Sequence, residues 1–328
     1  MTIDAKAAAS QSDDAPEIFG FLLIPQFSML GFTSAVEPLR SANRLAGRRL
    51  YEWQLITEDG RPVVSSSGIE VVPHTGLDRV ARLAHLIVVA GIDAHRYGER
   101  KVLSALRRLA RRGCALGAVS TGTYLLARAG LLNGYRATIH WENLASFREE
   151  FPDLEITGEL YEIDRDRVTC SGGTAALDLM LSLIGRTHGR ALATQVAEQF
   201  LHERIRDPRD PQRMALRDRL AVSHPKLLAV VGEMEANLEE PLARAELARR
   251  ADLSSRQLER LFRKYLGRTP TRYYLELRLN RARLLLSQTS LSVLDVALAS
   301  GFVSASHFSK CYREHYKKTP REERLVPN

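Results

Sequence analysis

The sequence predicts an α/β domain followed by an all-α domain. From residue 18 to residue 185, short apolar runs alternate with segments of helical periodicity. This is typical of βαβ units that build a mainly parallel sheet with helices on both faces. Beyond Pro225, apolar residues recur three to four positions apart and no strand pattern remains. The 328 residues suffice for two such domains, at about 150 residues each.

The elements of the α/β domain follow in chain order. Continuous or alternating apolar runs predict strands at residues 18–24, 51–57, 86–90 and 115–119. Helical spacing predicts helices at residues 31–46, 102–111, 123–129, 174–184 and 190–204. Strands and helices are interleaved, as the connections between parallel strands require.

Composition sets the predicted domain boundaries. Residues 1–16 are small and polar, lack the apolar stretch of a signal peptide, and are predicted to be a disordered tail. Residues 17–204 form the α/β domain and residues 225–328 the helical one. Residues 205–224 include the charged stretch Arg-Asp-Pro-Arg-Asp-Pro, which predicts a linker.

Several classes of protein are excluded by composition. No apolar run approaches the roughly 20 residues of a membrane-spanning helix. The cysteines, Cys114, Cys170 and Cys311, are odd in number and far apart, so neither a disulfide framework nor a metal site is predicted. We therefore expect a cytoplasmic protein that makes no membrane contact and uses no metal or cofactor.

The positive charge is concentrated at one end of the chain. Residues 221–328 carry 19 Lys and Arg against 12 Asp and Glu, so this part holds +7 of the net charge of +8. A basic segment next to a nearly neutral body suggests a module that binds a polyanion. A solvated, Arg-rich surface is the alternative that charge alone leaves open.

The helical domain repeats itself at an offset of 50 residues. Ser254, Leu258, Leu261, Phe262 and Thr269-Pro270 recur as Ser304, Phe308, Cys311, Tyr312 and Thr319-Pro320. In each copy a short helix, at residues 244–250 or 293–299, precedes a tight turn and a second helix with Ser at the N-cap position. This arrangement is a helix-turn-helix, present twice, and the two turns differ by one residue. Residues 271–287 predict a long helix between the copies.

Residues 292–310, Ser-Val-Leu-Asp-Val-Ala-Leu-Ala-Ser-Gly-Phe-Val-Ser-Ala-Ser-His-Phe-Ser-Lys, followed by Thr319-Pro320, resemble the most characteristic stretch of the AraC/XylS-type DNA-binding domain. The resemblance extends over residues 225–328. It implies that the second helices of the two units enter successive major grooves of promoter DNA, about 34 Å apart. A helical bundle with an incidentally basic surface is the alternative.

Position within the motif assigns the residues that contact DNA. Those free to face bases are Arg256, Gln257, Glu259 and Arg260 in the first unit and Ser304, Ala305, Ser306, His307 and Lys310 in the second. Arg and Lys suit guanine, Gln suits adenine, and Glu accepts from cytosine. Cations at helix ends and turns are predicted to hold phosphates, namely Lys264, Arg268, Arg272, Lys317 and Lys318.

A strand, a sharp turn and a helix at residues 115–124 place Ser120 on a turn close to the nucleophile elbow of G-x-S-x-G enzymes. Further on, Thr138-Ile-His140-Trp141 puts His140 at the end of another predicted short strand. Together with Val-Val-Ala-Gly at residues 88–91, these features resemble the class I glutamine amidotransferase-like superfamily, which uses a cysteine at the elbow. Joined to an AraC-type tail, the combination resembles the GlxA-type transcriptional regulators.

The departures from that superfamily argue against catalysis. Ser120 stands where the enzymes carry cysteine, and no carboxylate follows the first strand, so Ser120 lacks an evident activating partner. We predict no catalytic residue. The rival hypothesis is a hydrolase or amidotransferase that uses Ser120 and His140. A second rival, an architectural DNA binder without a ligand, leaves the elbow unexplained.

The elbow is instead predicted to bind a ligand through Ser120, Thr121, Gly122, His140 and Trp141. Amides at the helix start suit a carboxylate, with the hydroxyl of Thr121 or Thr123 as a further donor, and the indole suits a substituted ammonium. Two alternatives stay open. The histidine could be a satisfied strand-end residue and the tryptophan ordinary core.

These predictions combine into a ligand-responsive transcriptional regulator. The resemblance implies an activator of a catabolic operon that works with RNA polymerase, and a homodimer is expected. The stretches Ser-Thr-Gly-Thr-Tyr-Leu-Leu-Ala-Arg-Ala-Gly-Leu-Leu and Thr-Ile-His-Trp-Glu-Asn resemble regulators of betaine and carnitine catabolism within that group. The expected effector is therefore a small zwitterion such as a betaine, carnitine or an amino acid.

Overall fold

The computed structural model describes residues 15–325, which fold as two compact units. The first unit comprises residues 15–140 and 153–210, and the second comprises residues 141–152 and 211–325. Of the predicted disordered tail, residues 1–14 lie outside the described residues. The predicted linker, residues 205–224, divides between the units after Asp210.

All strands lie in the first unit. In chain order they are β1 Glu17–Leu23, β2 Tyr51–Thr57, β3 Val63–Val64, β4 Glu70–Val71, β5 Thr75–Gly76, β6 His85–Val89, β7 Ala115–Val119, β8 Arg136–Ala137, β9 Glu155–Ile156, β10 Tyr161–Asp164 and β11 Arg167–Cys170.

The helices belong to both units. Those of the first unit are α1 Met29–Ala46, α2 Arg100–Arg111, α3 Thr123–Arg128, α5 Ala175–His188 and α6 Arg190–Gln199, with a single 3₁₀ turn at Ser120–Gly122. Those of the second are α4 Leu144–Glu150, α7 Leu216–Leu220, α8 Pro225–Ala236, α9 Arg244–Arg250, α10 Ser255–Leu266, α11 Pro270–Gln288, α12 Val293–Ala299, α13 Ala305–Tyr316 and α14 Pro320–Leu325.

Seven strands form the main sheet, in the order β10-β11-β7-β6-β1-β2-β5. Every neighbouring pair is parallel except β10 and β11 at one edge. Both faces are covered. Ile87 of β6 packs with Leu39 of α1 and Leu179 of α5, while its chain neighbours Leu86 and Val88, on the opposite face, are also fully buried. The predicted mainly parallel α/β domain is confirmed.

Two predicted elements of the first unit are wrong in extent. The short strand predicted to reach His140 ends at Ala137, because the amide and hydroxyl of Thr138 bond to Thr169 Oγ1 (2.9 Å) and to the carbonyl oxygen of Glu159 (2.7 Å) instead of extending a ladder. The helix predicted to reach residue 204 ends at Gln199. Beyond it the chain turns to contact α5.

The second unit contains the two predicted helix-turn-helix motifs, α9–α10 and α12–α13. Their turns comprise residues 251–254 and 300–304 and therefore differ by one residue, as predicted. Each motif has its own core: Phe262 packs in the first and Phe308 in the second. The long helix α11 contributes to both, through Tyr274 and Leu285 respectively.

Within residues 15–325, no helix combines the length and the apolar character needed to cross a lipid bilayer.

Candidate functional site

The first recognition helix, α10, is fixed by a cap and an apolar stripe. Ser254 Oγ accepts from the amide of Gln257 (3.2 Å), and Gln257 Oε1 accepts from the amide of Ser254 (2.8 Å), which forms a reciprocal capping box. Leu258 and Phe262 are fully buried. Because these apolar residues face the core, Arg256 and other polar residues on the opposite side of the helix face solvent.

The second recognition helix, α13, repeats this construction 50 residues later. The hydroxyl of Ser304 accepts from the amide of His307 at 3.3 Å, so this predicted base contact caps the helix. Phe308 and Tyr312 are fully buried, like their counterparts in α10. Lys310 lies on the exposed side.

The predicted base-contacting residues differ in how far they are engaged within the protein. Arg256, Arg260 and Lys310 are exposed and have no ion pair among the residues that the structure describes. By contrast, the side-chain carbonyl oxygen of Gln257 already accepts the capping hydrogen bond from the Ser254 amide. Glu259 pairs with Arg263 (3.0 Å, Nη2–Oε1), one helical turn further along.

The second recognition helix also holds an internal pair. The Nε2 atom of His307 lies 3.4 Å from the Sγ atom of Cys311, one turn away, and the imidazole lies edge-on to the ring of Phe302. Of the remaining predicted contacts, Ser306 is exposed and Ala305 is partly exposed.

Most of the cations predicted to hold phosphates form contacts inside the second unit. Arg268 and Arg272 both pair with Glu276 of α11, and Lys318 pairs with the buried Glu323 (2.8 Å, Nζ–Oε2). The ammonium of Lys317 donates to the carbonyl oxygen of Glu314, and that of Lys264 lies 5.0 Å from the centre of the Tyr265 ring.

A shallow groove runs along the exposed side of α10. It is lined by Arg256, Glu259, Arg260, Arg263 and Lys264. Arg263 was not predicted as a contact, although its spacing of three from Arg260 places both on one helical face. This groove is the strongest concentration of exposed cations on a recognition helix, and it suits a polyanion.

A basic side chain holds the turn of each motif. Lys226 Nζ donates to the carbonyl oxygen of Asp252 in the first turn (2.8 Å). In the second, Arg278 donates to the carbonyl oxygens of Ser300 (2.9 Å) and Gly301 (2.7 Å). These bonds tie the first turn to α8 and the second to α11, and the sequence pattern did not predict them.

In the first unit, the predicted elbow is present at the end of β7. Ser120 has a φ of +60°, a strained conformation for a residue other than glycine, and the residue is only 8% exposed. A Cβ atom at Gly122 would lie 2.3 Å from the carbonyl oxygen of Val88, so only glycine fits there. The Ser120 hydroxyl has no hydrogen-bond partner within residues 15–325.

Two expected donors at the elbow are already engaged. The Thr121 hydroxyl donates to the carbonyl oxygen of Gly91 (2.6 Å), and the Thr123 hydroxyl donates to that of Thr138 (2.9 Å). A ligand would have to compete with these carbonyl oxygens for either hydroxyl, and a role for them in ligand binding stays a prediction. Helix α3 has only six residues, so its dipole offers a ligand little help.

Trp141 and Cys170 have surroundings that the sequence did not predict. Trp141 belongs to the second unit, where the Arg213 guanidinium lies 4.5 Å from the centre of its indole. Cys170, at the end of β11, is fully buried beside the elbow, and burial raises the pKa of its thiol to about 12 against the opposing effect of the Gly172 and Ser120 amides. That thiol is unsuited to act as a nucleophile.

The sequence did not predict a buried carboxylate in the first unit that is hydrogen-bonded to two basic residues. Asp178 of α5, with no exposed surface, accepts from His202 Nε2 (2.8 Å) and from Arg206 Nε (2.8 Å) and backbone nitrogen (2.8 Å). The sequence does contain a sign of it, a single acidic residue within the apolar run Ala-Ala-Leu-Asp-Leu-Met-Leu. A charge buried by such a run needs a hydrogen-bonding partner.

Two family models match successive parts of the chain. A family model for the DJ-1/PfpI family matches residues 20–186, and one for a helix-turn-helix domain matches residues 247–325. A crystal structure of an AraC family transcriptional regulator from Pseudomonas putida has a TM-score of 0.53 and 33% identity, and covers 56% of this chain and 100% of that one.

The fold and its exposed recognition helices thus define a transcriptional regulator with a DJ-1/PfpI-type N-terminal domain. The HTH-type transcriptional regulator GbdR of Pseudomonas aeruginosa is 50% identical over 324 residues, which is 99% of this chain and 88% of that protein. The chain belongs to this family of AraC-type regulators, also called GlxA-type. It is a ligand-responsive DNA-binding transcriptional regulator.

Enzymes occur among the more distant relatives. Isonitrile hydratase of Pseudomonas putida is 30% identical over 167 residues, which is 50% of this chain and 69% of that protein. The DJ-1/PfpI-type fold therefore does not by itself decide whether the elbow is catalytic.

Proposed function

We propose that this regulator activates a catabolic operon in response to a small zwitterion such as a betaine, carnitine or an amino acid. The observation that supports it best is that one chain carries both features. It has two capped recognition helices with cations that form no ion pair, and an elbow whose serine hydroxyl has no hydrogen-bond partner within residues 15–325. The protein acts as a homodimer in the cytoplasm, where it binds promoter DNA and contacts RNA polymerase.

The proposed base contacts centre on α10. Arg256 and Arg260 suit guanine, since each guanidinium is exposed and free to make a bidentate contact. Lys310 takes this role on α13, while Ala305 suits the methyl group of thymine. The capping residues Gln257 and Ser304 support the helix ends that approach the DNA.

Selection of binding sites from a random duplex library with the full chain tests this part. Arg260→Ala is expected to weaken binding by about 1–3 kcal/mol and to relax the preference at one base pair. Arg217→Ala, which removes an exposed cation outside both helix-turn-helix motifs, is the control and should change neither. Equal losses in the two variants, or no selected site, would contradict the proposal.

The proposed effector site is the elbow, where Ser120, the amides of Thr121 and Gly122, and His140 bind the carboxylate. The role of Trp141 stays a prediction. Calorimetry with glycine betaine, carnitine and the amide of betaine tests this site. Ser120→Ala should weaken binding of the two carboxylates, and the amide should not bind. Binding of the amide with undiminished affinity would contradict it.

No catalysis is proposed for the elbow. A serine needs a base to take its proton, and the Ser120 hydroxyl contacts none in the described part of the chain. A panel of esters, amides, isonitriles and glutamine should therefore show equal turnover with the wild type and with Ser120→Ala. Turnover lost only in the variant would restore the enzyme hypothesis.

A further inference from the structure

The loop at residues 171–174 packs directly on the elbow. A Cβ atom built at Gly172 would lie 2.6 Å from Ser120 Cβ and 3.0 Å from Ser120 Oγ. Gly172 also has a φ of +96°, which favours glycine. Because the loop leaves no room on this side of the serine, a group that approaches Ser120 from this side must move the loop.

The same loop is bonded to residues 202–208. Arg206 Nη2 donates to Thr174 Oγ1 at 2.7 Å. A second route passes through Leu160, whose carbonyl oxygen accepts from the amide of Ser171 (3.0 Å) and whose amide donates to the carbonyl oxygen of Pro208 (2.7 Å). Two independent hydrogen-bonded paths thus join the loop over the elbow to this segment.

Asp178 fastens the segment to α5, which begins directly after the loop. Its carboxylate holds both the side chain and the backbone amide of Arg206, as well as the ring of His202. A fully buried carboxylate with these partners has one favourable arrangement, since any lost partner leaves a buried charge unsatisfied. Releasing the segment from α5 therefore carries a free-energy cost.

Residues 202–208 border a cavity and lie just before the chain enters the second unit. Tyr161, Thr194 and His202 are among the residues that line a cavity of about 530 Å³ beside it. Asp210, two residues after Pro208, is the last residue of the first unit before the chain enters the second.

We propose that residues 171–174 and 202–208 form a relay, in which displacement of the loop at Ser120 loosens Arg206 from Thr174 and Asp178. Movement of residues 202–208 then carries the state of the elbow to the chain that enters the DNA-binding unit. The relay rests on the proposed function, because it assigns the signal to an effector at the elbow. By reciprocity, residues 202–208 also bias the loop.

Hydrogen exchange of the full chain tests the relay without effector or DNA. Gly172→Ala drives a methyl group against Ser120, and we expect amide exchange in the peptide that spans residues 202–208 to rise about tenfold. Gly173→Ala is the matched control: its φ is also positive, at +55°, but its new methyl group meets nothing within 4 Å. The double variant Gly172→Ala with Ser120→Gly removes the atoms at 2.6 and 3.0 Å and should return exchange part of the way to the wild-type rate, since Ser120 Cα at 3.1 Å and the positive φ remain.

Faster exchange confined to residues 171–175 in Gly172→Ala would overturn the relay, as would equal effects in Gly173→Ala. If Gly172→Ala does not fold, Thr174→Val serves instead, because it removes the acceptor of Arg206 with little change in shape. Unchanged exchange at residues 202–208 in that variant would also overturn the relay.

A second measurement separates the relay from the proposed function. The affinity of Gly172→Ala for the selected duplex should differ from that of Gly173→Ala by at least about threefold. Equal affinities would overturn transmission to the DNA-binding unit. Failure of the wild type to select any duplex, with the exchange result intact, would instead count against the proposed function alone.

Discussion

Arg278 donates a hydrogen bond of 2.7 Å to the carbonyl oxygen of Gly301, and so ties the connecting helix α11 to the turn of the second helix-turn-helix. Its guanidinium carbon also lies 4.2 Å from the centre of the Phe302 ring. Burial lowers the pKa of Arg278, which shows that the cation sits in a poorly solvated place. Arg278 therefore adds a polar tie between α11 and the turn before α13 to the apolar core that the two helices share.

Arg278→Ala should destabilise the second unit by about 2 kcal/mol, because the turn carbonyls of Ser300 and Gly301 lose a charged donor. Arg281→Ala is the control on the same helix, since its 3.5 Å pair with the exposed Glu239 contributes below about 1 kcal/mol. Urea unfolding measures both. Equal destabilisation by the two variants would show that the hydrogen bonds from Arg278 to the turn contribute no more stability than the exposed ion pair of Arg281.

Gly301→Ala should be among the more damaging small substitutions in the second unit. With a φ of +77°, the residue already favours glycine, and a Cβ atom would lie 2.5 Å from the carbonyl oxygen of Leu238 and 2.6 Å from Pro241 Cγ. Gly267→Ala has a similar φ of +66° and an open surrounding, so it isolates the backbone contribution of about 1 kcal/mol.

The difference between the two glycine variants reports the clash alone. We expect Gly301→Ala to cost about 2 kcal/mol more than Gly267→Ala in thermal or urea unfolding. A similar loss of stability in both would mean that the turn shifts to accept the methyl group.

Glu323 should make the second unit less stable in acid. Burial opposes its ionisation, but hydrogen bonds from Lys318, Tyr312 and Arg283 outweigh this and lower its pKa below the usual 4.5. A carboxyl with a lowered pKa in the folded state contributes stability that is present above pH 4.5 and lost as pH falls through the folded value. Unfolding of Glu323→Gln should accordingly depend less on pH below 4.5 than unfolding of the wild type.

The control for this pH dependence is Glu240→Gln, which removes an exposed carboxylate without an ion pair within residues 15–325. It should follow the wild-type pH profile. An unchanged profile in Glu323→Gln would show that its three partners do not favour the charged form.

Local patterns predicted most of the fold. Strand β7 and helices α9 and α12 have the predicted bounds, because a buried apolar run or a cap with helical spacing depends on neighbouring residues. The internal duplication strengthened the prediction of the helix starts, because Ser254 and Ser304 occupy equivalent positions in the two copies. Both are N-caps in the structure. The family and the DNA-binding role could be predicted for the same reason.

Contacts between distant residues could not be predicted in this way. The bond from Arg206 to Asp178 spans 28 positions, and the packing of Gly172 on Ser120 spans more. A strand through His140 was predicted from residue type alone, whereas bonds from Thr138 to other segments end that strand. Likewise, Thr121 and Thr123 donate their hydroxyl hydrogens to carbonyl oxygens of distant residues. The periodicity of the sequence does not show which carbonyl oxygen lies beside each hydroxyl.

The cysteines offer a final test of an elbow without thiol chemistry. Burial raises the pKa of Cys170 to about 12 and that of Cys114 to about 11, so at pH 8 fewer than about one thiol in a thousand is ionised at either position. Cys311 is partly exposed and should be the residue that iodoacetamide modifies in the folded protein. Mass spectrometry after labelling at pH 8 identifies the site, and protein unfolded in urea, in which all three should react, is the control. Rapid labelling of Cys170 in the folded state would place a reactive thiol beside Ser120 and reopen the case for catalysis at the elbow.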